Sequence, residues 1–495
     1  MVSTVGVQDN SQEESSHGFK RSMTWRGGFA LALVIPMSGL TLVGYEIGAL
    51  GAYGALAVWI IVSVVALLQN YIFSELAGMF PHKSGGIALY ASEIWSERFS
   101  PMGGVFGWGY WAGWSLTLAV VSLIIGDLVQ AQWFPSVTWT IVILGNHVGL
   151  PTFIGAAVVI AVYILNISGL KPVIRTNVII GAALVLLAAV CFVGPFVIGD
   201  IHTSSLTFSA GHGFWTILVT MFTWSFVASW TAYGTEIAAT FTPEYHDPHR
   251  DVAKALLSSS VLMIVIVALS STIFPAAVGQ KVIASNPVGF FATLVSKVLG
   301  NAFGGVAIAI VCAAQLIALG SATSDSGRAL YGMAADRLTV RQLHKLNRAG
   351  QPARGMTVDL VFNLLVLFLV SNVAGIIFAS NLGYLIAVVF ALGGFLLLRR
   401  TKPDAVRPIR LSNKWIPVAW LLIVFNAAMI LIGFTHPALV GYGGLTEQLI
   451  ALSVIVIGLL SFFYARIVQD GERHNLLRRK AVFEIPSITE SESER

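Results

Sequence analysis

Charge is scarce in this sequence: 24 acidic and 29 basic residues among 495, or 11% of the chain. A soluble globular chain carries about 25% charged residues, so an ordinary water-soluble enzyme is excluded, as is a charged, disordered chain. Cysteine is nearly absent, with Cys191 and Cys312 both inside apolar runs. That excludes a disulfide framework and leaves two small buried hydrophobes. Histidines are scattered in loops, as at His147, His212, His246, His249 and His344, without metal-ligand spacing. No metal or cofactor is therefore expected. The polar first 26 residues lack the apolar core and cleavage site of a secretory leader.

Hydrophobicity is what the chain has in abundance, at 56% of residues and a mean hydropathy of +0.80. It is distributed in runs near the ~20 residues that cross a bilayer as a helix. Twelve candidate spans fall near 27–50, 54–80, 103–132, 151–169, 174–199, 213–241, 253–278, 301–334, 355–373, 376–398, 415–434 and 445–466. Their even number puts both termini on one side. Of the 29 basic residues, all but Lys281 and Lys297 fall on that side. The positive-inside bias then places both termini in the cytoplasm of an integral, multi-pass protein of the plasma (inner) membrane. The basic loops read as topology signals facing a lipid bilayer, with no nucleic-acid partner implied.

Two spans are poorly suited to continuous helix. The first holds Pro36-Met37-Ser38-Gly39-Leu40-Thr41 and, further on, a rival break at Gly44-Tyr45-Glu46-Ile47-Gly48-Ala49. The sixth holds Thr231-Ala232-Tyr233-Gly234 just before Glu236. Backbone unpaired at mid-bilayer is tolerated only where protein or a water-filled cavity satisfies it. Corresponding interruptions in two halves of a membrane chain point to a transporter's central site. The reading is an all-α membrane fold of 12 transmembrane helices. A 5+5 inverted-repeat core has helices 1 and 6 broken, and two C-terminal helices follow. It divides into an N-terminal tail (1–26), a first repeat (27–199), a second (213–398), a helical pair (415–466) and a C-terminal tail (467–495). GYEIGA (44–49) and GTEIAA (234–239) echo one another between the halves.

Several loops carry a further pattern. SELAGMFPHKSGGIALYASEIW (74–95) follows the second span and EYHDPHRDVAKAL (244–256) the sixth. SGRALYGMAADRL (326–338) and LNRAGQPARG (346–355) lie between the eighth and ninth, and RRTKPDAVRPIRL (399–411) follows the tenth. In content and order these resemble the loop signatures of the amino acid–polyamine–organocation transporter superfamily. The resemblance covers roughly residues 25–415. It implies a permease rather than an enzyme, moving an amino acid, a GABA-like compound or a polyamine or other amine by alternating access.

The resemblance also implies site residues. The unwound segment of the first span falls at Ser38, Gly39, Leu40 and Thr41, where Met37 departs from the family's first glycine. In the sixth span Trp230 is similar to the gating aromatic, Gly234 to the break and Glu236 to the acid after it. In the third span Ala112, Gly113 and Thr117 fall toward the substrate. A substrate carboxylate would meet amides around Ser38–Thr41. Its amine would meet carbonyls around Phe226, Trp230, Thr231, Tyr233 and Gly234. The fifth span lacks the lysine of some proton-coupled relatives; its position falls near Leu184.

A carboxylate at bilayer depth costs roughly 2.5–3.5 kcal/mol on insertion scales. Glu236 therefore reads as a proton-linked gate or as a hydrogen-bonding latch. Glu46 and Asp127, in the outer halves of their spans, either attract a substrate amine or are simply solvated. Glu75 reads as a structural or gating contact. Ser321, Thr323 and Ser324 of the polar GSATSD segment form a possible cation site, and Trp108, Tyr110, Trp111 and Trp114 an aromatic wall. Proton coupling is the expectation and sodium coupling the second reading. Obligate exchange and a non-transporting sensor or subunit of the same fold are the alternatives.

Overall fold

The computed structural model describes residues 21–143, 146–369, 373–440, 445–472 and 476–478. The N-terminal tail before residue 21 and most of the C-terminal tail lie outside them. The apolar runs fold as helices because, without water, each backbone group must find its partner inside its own segment. The helices are α1 (Trp25–Ala32), α2 (Val34–Met79), α3 (Gly86–Phe99), α4 (Pro101–Trp133), α5 (Leu150–Ile167), α6 (Leu170–Val197), α7 (Phe214–Ala232) and α8 (Pro248–Val278). After them come α9 (Gln280–Ser285), α10 (Phe290–Leu299), α11 (Gly304–Ala335), α12 (Ala353–Leu369), α13 (Val373–Thr401), α14 (Trp415–Thr435) and α15 (Leu445–Tyr464). A short antiparallel hairpin, β1 (Thr140–Ile143) with β2 (Asn146–Gly149), pairs Thr140 with Gly149.

Among the described residues ten helices are long and apolar enough to cross a membrane, against twelve expected spans. The difference lies in α2 and α12. α2 runs for 46 residues and contains both the first and second expected spans, folded at Gly51 (φ 74, ψ 175). That backbone region is essentially restricted to glycine. A Cβ at Gly51 would also lie 2.5 Å from the Thr207 carbonyl oxygen. α12, the ninth expected span, is described over Ala353–Leu369, and residues 370–372 lie outside the described residues.

Loop chemistry sets the helix ends. Asp247 caps α8 by accepting from the Arg250 amide at 3.2 Å, with Pro248 opening the first turn. Pro101 opens α4 in the same way. α4 is the most deeply enclosed helix of the bundle, and its glycines let other backbones touch it. A Cβ on Gly109 would lie 2.6 Å from the Gly383 carbonyl oxygen of α13, and one on Gly104 2.7 Å from that of Gly458 on α15. Small residues at such crossings allow close packing where lipid supplies no hydrophobic drive.

The two expected breaks fare differently. In the sixth span α7 stops at Ala232 and a tighter 3-10 helix runs from Tyr233 to Glu244. Runs of that geometry beyond three or four residues are uncommon and mark strain or a hinge. In the first span Ser38–Thr41 lies within α2, whose one non-helical residue is Gly51. Leu33, between α1 and α2, keeps right-handed dihedrals (φ −54, ψ −33) and its amide donates to the Phe29 carbonyl, so the chain does not open there either. Amides from 38 to 41 are therefore inside a helix and not free for a carboxylate. The rival break at 44–49 is helical too, because Gly44 and Gly48 serve packing: Cβ atoms there would meet the backbone of Pro287 and Ala284. The GYEIGA–GTEIAA echo thus joins unlike places.

Candidate functional site

A cleft lies between α2, α4, α7, α11 and α13, with roughly 590 Å³ of empty space counting its open mouth. Ile35 and Leu42 of α2, Val121 and Ile124 of α4, and Ala318 of α11 give it apolar walls. Trp114, Trp230 and Tyr384 supply aromatic surface, and Gly113, Thr117, Thr231 and Gln315 the small and polar positions. Of the residues the sequence singled out, Gly113, Thr117, Trp230 and Thr231 are therefore brought together.

Others stand behind the cleft. Gly234 supports its floor: a Cβ there would lie 3.2 Å from both Ile35 and Trp114. Phe226 is wholly buried against Phe378, its ring centroid 5.5 Å away, and its carbonyl accepts from Asn381. Ala112, Tyr233 and Leu40 are buried in packing contacts, and Gly39 faces Met263 of α8. The side chains of Ser38 and Thr41 lie outside the described residues. Glu46 is 2% exposed and Asp127 exposed, so solvation describes the second and not the first. Trp114 lines the cleft, whereas Trp108 and Trp111 pack edge to face with centroids 4.8 Å apart.

The proposed cation ligands diverge. Ser321 Oγ donates to the Leu31 carbonyl at 3.2 Å and Thr323 Oγ1 to the Leu319 carbonyl at 2.8 Å, while Ser324 Oγ donates to Asn166. Successive helical positions are turned about 100° apart, so these hydroxyls address different neighbours.

Beneath the floor lies a buried polar layer. Glu236 accepts from Trp114 Nε1 at 3.2 Å and Tyr384 Oη at 3.1 Å on Oε1, and from Tyr110 Oη at 3.2 Å on Oε2. The Tyr110 hydroxyl also lies 3.1 Å from Thr240 Oγ1 and 3.3 Å from Asp325 Oδ1. Further along, Asp359 of α12 accepts from Trp111 Nε1 at 2.7 Å and Ser326 Oγ at 2.8 Å. Tyr384, Asp325 and Asp359 went unweighed in the sequence. Asp325 ends the very GSATSD segment whose hydroxyls drew notice, and a census of every ionisable residue inside the spans would have found both aspartates.

The loops with family-like signatures are tied together at the end of the bundle that holds most basic residues, here termed the basic end. Lys83 pairs with Asp336 at 2.5 Å and Glu93 at 3.1 Å, and Arg328 with Glu244 at 2.7 Å. Glu75 takes Arg399 at 2.5 Å, Arg407 at 3.2 Å and the Leu411 amide at 2.8 Å. The expected structural role of Glu75 is visible in those three contacts.

A helical membrane bundle with an interrupted helix beside an enclosed, mostly apolar cleft defines a carrier of small molecules. The chain belongs to the Amino acid permease family, which matches residues 25–460, and is thus an amino acid transporter rather than an enzyme. It is 25% identical over 366 residues to the amino-acid permease RocE of Bacillus subtilis, covering 71% of this chain and 74% of that one. To the lysine-specific permease LysP of Escherichia coli it is 26% identical over 332 residues, 63% of each chain. To the glutamate/serine transporter AimA of Bacillus subtilis it is 23% identical over 427 residues, 83% of this chain and 75% of that one.

Proposed function

We propose that the protein is a proton-coupled secondary transporter that takes up an amino acid by alternating access across the plasma (inner) membrane, with both termini cytoplasmic. The carrying observation is the cleft itself, whose floor is built on the start of the 3-10 segment and whose lower side is closed by Glu236 and its three donors. The 3-10 segment that begins at Tyr233 supports a hinge beside the cleft in the second of the two expected repeats, 27–199 and 213–398. The substrate lies between Ile35 and Trp230, and Trp230 closes over it. The tethered loops at the basic end support a conformation facing away from the cytoplasm.

The similar permeases are named for lysine in one case and for glutamate and serine in another. Their names therefore assign no single side chain, and the cleft supports its own answer. Among the described residues no carboxylate, lysine or arginine lines it, and an unpaired charge in such a wall is costly. The substrate is an amino acid with an uncharged, apolar side chain; a polyamine does not suit the cleft.

Purified protein in proteoliposomes is offered L-leucine, L-serine, L-lysine, L-glutamate, GABA and spermidine, with proton gradient, sodium gradient and internal substrate varied separately. Saturable L-leucine uptake driven by a proton gradient is expected. Sodium dependence refutes the coupling, exchange without net uptake refutes symport, and preference for lysine or spermidine refutes the side-chain reading.

A further inference from the structure

We propose that Glu236 and Asp325 share a single proton through the Tyr110 hydroxyl, making Asp325 the second member of the coupling site. The inference deepens the transport reading above and rests on it for its link to uptake.

The argument is hydrogen-bond arithmetic. A tyrosine hydroxyl has one proton to donate. Tyr110 Oη nevertheless lies 3.2 Å from a Glu236 oxygen and 3.3 Å from an Asp325 oxygen. With both acids ionised, one of those contacts would set a carboxylate oxygen against a phenol lone pair, in a place without solvent. Glu236 is 1% exposed, and Asp325 and Tyr110 are fully buried. With both acids neutral, both carboxyls would have to donate to the one phenol oxygen while its own proton turned to Thr240 Oγ1. One proton between the two acids satisfies every contact. A second observation points the same way: Asp325 Oδ2 is buried with no hydrogen-bond partner. A charged oxygen left like that is expensive, whereas the free oxygen of a neutral carboxyl is much less so.

The groups facing the pair favour neither acid decisively. Glu236 is faced by Tyr110 and Trp114 from α4, Tyr384 from α13 and Asp325 from α11, with Tyr90 of α3 within electrostatic reach. Asp325 is faced by Tyr110, by Thr240 and Glu236, by Asp359 of α12, and by Arg328 on its own helix. Arg328 donates to Glu244, Gln351 and the Ser324 carbonyl, but its positive field also reaches Asp325. Each acid thus has its own reason to hold a charge, three donors in one case and a nearby cation in the other.

Transfer is balanced at every atom. An Asp325 carboxyl gives its proton to Tyr110 Oη while Tyr110 gives its own to Glu236. The phenol is unchanged, Asp325 becomes a carboxylate and Glu236 a neutral acid. The reverse passage retraces these two transfers, and the hydroxyl must turn back toward Glu236 only before a second transfer in the same direction. Substrate enters the balance because Trp114 and Tyr384 line the cleft and hold Glu236 Oε1 from below. Moving either ring on binding weakens the hold on a charged Glu236 and draws the proton to it. Asp325 lies seven residues beyond Ala318 on α11, about 10 Å further from the cleft along the helix axis. The proton thereby moves between the cleft side and the basic end.

Infrared difference spectroscopy of the full-length protein across pH reads the stretch of protonated carboxyls and needs no substrate. Glu46 and Asp359 stay constant in every sample, so wild type is compared with Asp325→Asn, Glu236→Gln and Tyr110→Phe. One protonated-carboxyl band is expected to disappear in Asp325→Asn and the same band in Glu236→Gln, because an acid left alone ionises. Tyr110→Phe, which removes the bridging hydroxyl, is expected to lose accumulation of L-leucine driven by a proton gradient. A band lost in Glu236→Gln but kept in Asp325→Asn overturns the shared proton, as does accumulation intact in Tyr110→Phe. A wild type that moves none of the test substrates would instead refute the transport reading, while the infrared comparison still decides the shared proton. Should Glu236→Gln fail to fold, Asp325→Asn still decides it; should Asp325→Asn fail, Tyr110→Phe does.

Discussion

The two ends of the bundle are built from opposite materials. At the basic end, Lys83, Arg328 and Glu75 are each sunk below 5% side-chain exposure and paired with partners on different loops. At the other end the ion pairs are wet: Lys297 is 40% exposed where it meets Asp200 at 2.7 Å, and His202 is 64% exposed beside the same carboxylate. A buried pair holds parts in register because breaking it strands a charge. An exposed one holds little because water replaces it. The contrast shows that the desolvated ion pairs are gathered at the basic end.

The contrast can be broken most forcefully at Lys83. Lys83→Ala removes the buried ammonium that meets both Glu93 and Asp336, and the expected loss is about 3–5 kcal/mol, read as a lowered thermal midpoint in detergent. Next comes Glu75→Gln, which keeps the volume but releases Arg399 and Arg407 from a carboxylate. Faster hydrogen exchange is expected across 399–411, with 200–210 unchanged; equal protection in both variant and wild type would show that the loop is held by packing. The smallest effect belongs to Lys297→Ala, for which no measurable change in thermal midpoint is expected near neutral pH. Lys297, by its hydrogen bond, holds the Asp200 carboxyl below the usual carboxylate range, with His202 assisting. A depressed acid contributes above its ordinary titration range and loses that contribution as pH falls. Any difference between wild type and Lys297→Ala should therefore vanish in acid, and a difference growing in acid would reverse the sign of this account.

Much of the helical layout was legible because hydropathy and charge are read by the bilayer in the same way as by the eye. The sixth-span break was legible too, since Tyr233 and Gly234 are poor continuers of a helix and the 3-10 segment starts there. The first break was expected where the chain is helical because glycine has two uses in a membrane helix. Gly39 and Gly44 look like breaks but give room to Met263 and Pro287, and no local pattern separates opening from packing. The polar layer was half legible. Glu236 stood out against an apolar run, whereas Asp325 was masked by the hydroxyls around it and Tyr384 by being an ordinary aromatic in a span. Their importance comes from meeting across helices, as Tyr110 does with residues 126 and 215 positions away, which no one-dimensional reading displays.

The fold at Gly51 has a consequence for how the protein is made. Ten residues to either side of it are almost wholly uncharged, Glu46 excepted, so nothing between the two arms of α2 would arrest a translocating chain. The Tyr53 amide donates to the Thr207 carbonyl and the Ser209 amide to the Leu50 carbonyl, at 3.0 and 2.7 Å. Those partners are synthesised about 150 residues later. Until then the bend must stand on glycine's own backbone freedom. Glycine therefore makes the bend possible, and the 207–209 segment fastens it from a distant part of the sequence.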